Sequence, residues 1–394
     1  MKNNRRVICI VVDSLGVGGC DDSLAYNDHN PDTFGHICDV CNTIDIKNLK
    51  NLGLTNLHNK GHFPIVYPQA YYHKCHEQSK GKDTITGHYE IMGIETKQPY
   101  ITFTEFGFPP EMIKKMEELT GHTFIGNYAA SGTQIIKDLG EQHLKTGSLI
   151  LYTSADSVLQ IAAHEEKTGL EELYRTCQII RELSASVPEW KVGRVIARPF
   201  VGKDALSFVR TSNRHDYALN PPHNSVLDDL KTAGYEVVSI GKINDIFNGC
   251  GIAKAIKSKS SENGMQQTID EVKRAFSGLI FTNLVDFDAL WGHRRNIEGY
   301  AHQLEIFDSQ LSKLIKIMNN DDLLIICADH GNDPSASGSD HTREYIPVIY
   351  YSKQFKGSGL LPISDSFASI GATICDYLSI KKPIIGKSYL KWLI

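Results

Sequence analysis

The sequence predicts an α/β protein: a mostly parallel sheet with helices on both faces, plus an inserted smaller α+β domain. Three observations carry this. Apolar, β-branched runs recur without polar alternation, the habit of strands covered on both faces. Segments with helical periodicity lie between them. Prolines set off a middle stretch of mixed character.

The runs are "VICIVV" (7–12), "SLILYT" (148–153), "RVIA" (194–197), "EVVSI" (236–240), "LIFTNLV" (279–285), "LLIICA" (323–328) and "PVIYY" (347–351). Helical spacing appears in "GLEELYRTCQIIREL" (169–183), in "TIDEVKRAF" (268–276) through Ile269, Val272 and Phe276, and in "AHQLEIFDSQLSKLIKIM" (301–318) through Leu304, Phe307, Leu311 and Leu314. "GHYEIMG" (87–93) could start another helix. Pro99, Pro109-Pro110 and Pro221-Pro222 punctuate the chain. The expected organisation is a core domain of 1–99 and 221–394, with 100–220 inserted.

At 394 residues the chain can bury a large core, and its 41% hydrophobic and 22% charged residues are ordinary for a soluble protein. A net charge of -5 leaves no electrostatic footprint for nucleic acid. No stretch approaches the roughly 20 apolar residues of a membrane span. The start "MKNNRRVICIVVD" reads as a first strand, because its apolar segment is short and ends in Asp13. Nine scattered cysteines suit reduced thiols and a cytoplasmic protein. Cys38-x-x-Cys41 has no second pair to complete a zinc site, and "HKCHE" (His73, Cys75, His76) offers ligands without partner spacing.

Three apolar runs end in aspartate: Asp13 after 7–12, Asp286 and Asp288 after 279–285, Asp329 after 323–328. One such Asp is ordinarily a helix cap. In a parallel sheet, however, the carboxyl ends of the strands share one edge, where loops build the binding crevice. Carboxylates crowded there repel and require cations. With His293, His330 and His341 in the same loops, a divalent metal is the natural cation, and mixed carboxylate and imidazole ligation suits manganese or zinc better than calcium. Thr84, in "GKDTITGHYE" (81–90), precedes a possible helix start and could be a nucleophile beside metal; an isolated threonine, Thr84 or Thr86, is more often merely a cap. The strand-then-glycine pattern of "VVDSLGVGG" (11–19) only half matches a dinucleotide fingerprint, with Asp21 where the third glycine belongs.

"VVDSLGVGG", "GKDTITGHYE", "TSADSVLQIAAHEE", "GRVIARPF", "RHDYALNPP", "GKINDIF", "LVDFDALWGHRR" and "ADHGNDP…SDHTREYIPV" resemble, in order, the sequence blocks of the phosphopentomutase family. That family lies in the alkaline phosphatase superfamily, akin to the cofactor-independent phosphoglycerate mutases. The likeness runs from about Val7 to near the C-terminus. It implies an alkaline-phosphatase-like core and two manganese ions, one held by Asp13, Asp329, His330 and the Thr84 oxygen, the other by Asp288, His293 and His341. It selects Asp288 over Asp286 and leaves Asp340 over, as a partner that orients an imidazole. Two positions depart from the pattern, Ile85 in place of Thr and Tyr89 in place of Trp.

The activity implied is interconversion of ribose (or deoxyribose) 1-phosphate and 5-phosphate through a phosphoryl group on Thr84, with a sugar bisphosphate as a possible activator. The alternative within the superfamily is a dimetal phosphatase or phosphodiesterase. Substrate contacts implied are Ser154, Asp156, Arg194, Arg198 and Arg210 on the inserted domain, which would act as a lid, and Lys242 in the core. Arginine forks match phosphate oxygens, and an acid accepts from sugar hydroxyls.

Overall fold

In the computed structural model, residues 5–57, 63–64, 66–154, 157–381 and 383–394 are described. The chain forms two compact units, 1–98 with 221–394 and 99–220.

The first unit is built on an eight-stranded sheet in the order Lys254–Ile256, Glu236–Ile240, Gly278–Leu284, Arg6–Val12, Asp322–Cys327, Ile346–Tyr351, Tyr71–Cys75, Gly359–Leu360. The first five are mutually parallel; Ile346–Tyr351 runs against both its neighbours. Arg6–Val12, Gly278–Leu284 and Asp322–Cys327 are buried along their whole length, which accounts for their unbroken apolar sequences. Each such Leu, Ile or Val contributes roughly 1.5–3 kcal/mol relative to an exposed one. Two helix groups do the covering. Ile297–Ile317 packs with Ser261–Val272, Thr33–Val40 and Lys47–Asn51, and Ala368–Tyr377 packs with Thr84–Ile91 and Val226–Thr232.

The second unit has a mixed sheet in the order Phe124–Ala129, Leu149–Thr153, Val158–His164, Arg194–Val201, Val209–Arg210, with His215–Ala218 also paired to Arg194–Val201. Alternation sorts its side chains. Leu149, Leu151, Leu159, Ile161, Val195 and Ala197 pack with Met112, Met116 and Leu173 of the helices Pro110–Thr120 and Leu170–Ser186. The other face carries Ile150, Tyr152, Ala162 and Phe200 against Ile135 and Ile136 of the helix Gly132–Thr146. Arg194 and Arg198 share the parity of Phe200 and so stand on this second face.

Element existence follows the apolar pattern, but ends follow caps. The helix expected at 268–276 is Ser261–Val272, because the Ser260 hydroxyl accepts from Asn263 N–H and starts it earlier. The one expected from 301 begins at Ile297, capped by Asn296, whose side chain accepts from Gly299 N–H. The strand Tyr71–Cys75 has a sequence ("YYHKC") too polar to read as buried, yet His73 is fully enclosed, and the strand Val158–His164 ends in a histidine that caps the next helix.

His73 stacks on Tyr389 (4.3 Å) and packs beside Tyr350 (5.8 Å), and burial depresses its pKa to about 4, against 6.5 in the open chain. The unfolded chain therefore binds the extra proton first. The stabilisation, on the order of 3 kcal/mol, is fully present above pH 6.5 and is lost as pH falls toward 4. Melting temperatures of the native chain and of His73→Phe between pH 7 and 5 check this: the native chain should lose more of its melting temperature than the variant, and parallel curves would contradict it.

Candidate metal centre at the sheet edge

The register brings the strand-end acids together. Val11 pairs with Cys327 and Val12 with Leu284, so Asp13, Asp329 and the turn after Leu284 emerge at one edge of the sheet. Ser14 adopts a left-handed backbone (φ 70°), which turns its N–H onto the Asp329 carboxylate at 3.1 Å. After Leu284 the chain enters a wide π-type turn, Phe287–Gly292, that points Asp288 inward and leads directly to His293. Asp286 points elsewhere: its carboxylate accepts from Ser261 N–H at the start of a neighbouring helix.

Two clusters form. In the first, His330 Nε2 lies 3.5 Å from Asp13 Oδ1, 3.3 Å from Asp329 Oδ2 and 3.1 Å from Thr84 Oγ1. In the second, Asp288 Oδ2 is 3.1 Å from His293 Nε2, Asp288 Oδ1 is 3.4 Å from His341 Nε2, and the two imidazole nitrogens are 3.1 Å apart. The His330 and His341 rings stack at 4.0 Å and join the clusters. All seven side chains proposed from the sequence as ligands or nucleophile are thus gathered in one place.

The donor set fits a metal. His293 Nδ1 donates to the Ser339 carbonyl (2.6 Å) and His330 Nδ1 to the Gly331 carbonyl (3.1 Å), so each neutral ring keeps its Nε2 lone pair for the cluster. Asp13 Oδ1 and Asp329 Oδ2 are buried with no hydrogen-bond partner. Lone pairs facing one another across 3–4 Å are stable only around a cation. The charges register the same crowding. Burial, then Asp329 and Asp288, push Asp13 up to about 7. At Asp288 burial acts upward, but His341, His293 and His330 outweigh it and hold the carboxyl well below its ordinary range. Burial would lower His330, but Asp329, Asp288 and Asp13 raise it.

A second set of residues, invisible as a pattern in the sequence, orients the first. Asn283 Nδ2 donates to Asp13 Oδ2 (2.8 Å) and Asn332 Nδ2 to Asp288 Oδ1 (2.7 Å), while Arg295 holds the Asn332 carbonyl oxygen at 2.5 Å. His88, one turn along the helix Thr84–Ile91, has Nδ1 2.8 Å from the Thr84 carbonyl and 3.2 Å from Asp329 Oδ2. That helix packs so closely on the strand end that a Cβ on Gly87 would meet the Asp329 carbonyl at 2.0 Å. Asp83 is its cap, accepting from Ile85 and Thr86 N–H and from the Thr86 hydroxyl. This settles the sequence's ambiguity locally: Asp83 caps, and Thr84 is left with its hydroxyl toward His330. Tyr89 is buried against Phe247, so the departure there is absorbed by the core.

Arg343, fully buried, grips Asp22 through two nitrogens, Glu77 Oε2 at 2.6 Å, and the carbonyls of Glu77, Ser79 and Gly81. It thereby ties the loop that carries Thr84 to the loop that carries His341. Next to it, Glu344 accepts from Thr33 and Thr342 hydroxyls and from Thr33 and Gly18 N–H. A Cβ on Gly16 would collide with that carboxylate at 2.1 Å, so the glycine of "VVDSLGVGG" makes room for an acid rather than a diphosphate. Asp340 orients no imidazole. Its side chain accepts from His341 N–H and pairs with Lys82 at 3.1 Å, which also holds Asp28.

In the second unit, Arg198 and Arg210 are brought together, with Arg214, along a cavity of 540 Å³ also lined by Thr133, Phe208 and Thr211. Arg194 stands four residues before Arg198 on the same strand, 3.5 Å from Asp216. Ser154 directly follows the strand Leu149–Thr153; Asp156 lies outside the described residues. Lys242, in the first unit, immediately precedes the short helix Ile243–Ile246 and exerts an attractive field on Asp13. Cys38 is buried in the helix Thr33–Val40, which Cys41 closes, and among the described residues no third ligand joins them. No described helix is long and apolar enough to cross a membrane.

A profile of the metalloenzyme superfamily matches residues 5–382. A phosphopentomutase of Agathobacter rectalis is 54% identical over 396 residues, 100% of each chain. The chain belongs to the phosphopentomutase family. Another member, from Clostridium botulinum, is 53% identical over 397 residues, again 100% of both chains. Membership makes this an isomerase-class enzyme, and the superfamily brings divalent-metal binding with it.

Metal taken up by the Asp13 carboxylate would displace its proton, so affinity should fall as pH drops below about 7, by about tenfold per pH unit. Calorimetric titration of chelator-treated protein with manganese at pH 8, 7 and 6 measures it. Asp13→Asn should bind more weakly at pH 8 and show a shallower pH slope.

Proposed function

We propose that this chain interconverts ribose 1-phosphate and ribose 5-phosphate, and the 2-deoxy pair, by carrying a phosphoryl group on Thr84. The observation that carries the reading is the Thr84 hydroxyl, 3.1 Å from His330 Nε2 inside a cluster of buried acids, in a member of this family. Asp13, Asp329 and His330, with the Thr84 oxygen, would hold one divalent ion, and Asp288, His293 and His341 the other. Manganese suits this mixed nitrogen and oxygen set. Bound there, the ions supply positive charge to the phosphoryl oxygens and lower the pKa of coordinated hydroxyls.

Every other demand falls on the protein. The phosphoryl bond to Thr84 Oγ1 breaks as a bond forms to the free hydroxyl of the bound sugar phosphate, giving a ribose 1,5-bisphosphate. The second phosphoryl then returns to Thr84 and the isomer leaves. A sugar bisphosphate would load an unphosphorylated enzyme by the return step alone. His88 and Asp83 fix the turn that presents Thr84, while Asn283, Asn332 and Arg295 fix the acids. The arginine cavity of the second unit suits the phosphate that is not reacting, since guanidinium forks match its oxygens. Arg194, Ser154, Asp156 and Lys242 remain assigned to the sugar phosphate as well, with the second unit acting as a lid that keeps water from the phosphothreonine.

Phosphorus NMR of ribose 1-phosphate with the protein, manganese and a trace of ribose 1,5-bisphosphate tests the proposal. Ribose 5-phosphate should accumulate with little inorganic phosphate; release of inorganic phosphate as the main product would make the chain a hydrolase. Thr84→Ala should lower turnover by on the order of 10³-fold or more while still binding metal. Arg210→Ala should raise KM by about 10–100-fold, the worth of a charge-assisted phosphate contact, with a smaller change in kcat.

A further inference from the structure

Outside the dinuclear centre, a second group of unlike donors converges. Cys20 Sγ, an Asp22 carboxylate oxygen and a His76 ring nitrogen lie within 4.8 Å of one another, and His76 Nε2 is 3.5 Å from Asp22 Oδ1. They come from two distant segments, each pinned by backbone pairing. Cys20 N–H donates to the Arg343 carbonyl beside the bridge of Gly19 to Glu344, and His76 N–H donates to the Ser364 carbonyl beside the bridge of Cys75 to Ser364. The neighbouring thiol is turned away, since Cys75 Sγ donates to the Ser366 carbonyl.

Charge and access also suit a cation. Arg343 touches two carboxylates, Asp22 and Glu77, so its single positive charge is divided between two acids. Cys20 is 4% exposed, but Asp22 and His76 are 32% and 26% exposed, leaving one open side for entry and for water as a fourth ligand. A tetrahedral ion needs its donors closer than 4.8 Å, by about 1 Å, which small side-chain rotations supply. A sulfur donor excludes manganese and magnesium as preferred guests and selects zinc-like ions.

We infer that Cys20, Asp22 and His76 form a third, separate metal site that takes zinc or a similarly thiophilic divalent ion. Binding replaces the thiol proton by the metal–sulfur bond and releases that proton to solvent. None of these three side chains is among the groups assigned to hold the reacting phosphoryl, although Asp22 also braces Arg343.

Cobalt(II) distinguishes this site spectroscopically, because none of the donors gathered at the dinuclear centre is sulfur. Protein stripped with chelator and reloaded with manganese would be titrated with cobalt. A sulfur-to-metal charge-transfer band should rise in the near ultraviolet, saturate at one equivalent, and be bleached by zinc. Cys20→Ser should abolish it and His76→Gln should weaken cobalt binding by about tenfold or more. Cys41→Ser and Cys250→Ser, at the two other thiols that are not fully buried, should leave it unchanged. Absence of the band in the folded native chain, or its survival in Cys20→Ser with circular dichroism intact, would overturn the assignment. Should Cys20→Ser fail to fold, an unweakened titration in His76→Gln would do so.

Discussion

Three buried carboxylates facing unshared imidazole lone pairs is the constraint on which the rest of this structure depends. Asp13, Asp288 and Asp329 are all essentially inaccessible, and two of their oxygens make no hydrogen bond. In an apolar core such a group would cost several kcal/mol for each unpaired charge. The parallel sheet makes the arrangement possible by ending three strands at one level, and a cation among them would relieve their repulsion. The local irregularities serve the same end. A serine in left-handed conformation and a π-type turn each aim one group that regular backbone would point elsewhere.

The second consequence is rigidity. Ligands held by loops alone would drift apart under their own repulsion, so the loops are locked from behind. Arg343 makes four contacts to the segment leading to Thr84, and Glu344 makes three to the segment after the first strand. Both lie in the stretch that also supplies His341, so one short loop positions a ligand and braces two others. An exposed salt bridge would contribute about 1 kcal/mol or less; buried and multiply bonded ones chiefly enforce a single geometry.

How much of this was legible in the sequence follows from what each signal depends on. The sheet and its acids were readable because burial on both faces writes unbroken apolar runs, and an aspartate ending one of them stands out. Choosing Asp288 over Asp286 was not readable from spacing. Both follow the same strand, and only the turn Phe287–Gly292 decides which points inward. His88, Asn283 and Asn332 carry no pattern at all, since a hydrogen-bond partner needs proximity in space and not in sequence. The glycine at position 16 completed no nucleotide fingerprint, and its role stayed open because glycine reports close approach without naming the approaching group; here it is Glu344. Polar strands such as "YYHKC" escaped for the converse reason, that stacked aromatics can bury a histidine that composition marks as exposed.

The two units gather opposite charges, and the proposed chemistry gives that division a reason. A phosphoryl group in flight needs positive charge that can be supplied at short range, without a competing proton. Carboxylates and imidazoles around metal provide this, and arginine, which never releases its proton, could not also activate a threonine hydroxyl. The phosphate that waits needs only to be held, and for this a planar guanidinium with several donors is better suited than a metal, whose exchange it would compete for. A mutase must perform both tasks on one small sugar and then exchange the roles of its two ends. On the proposed reading, an acid cluster in one unit and the Arg198, Arg210 and Arg214 cavity in the other would meet those unlike demands separately, whereas one site built for both would hold either phosphate too tightly to let the sugar turn.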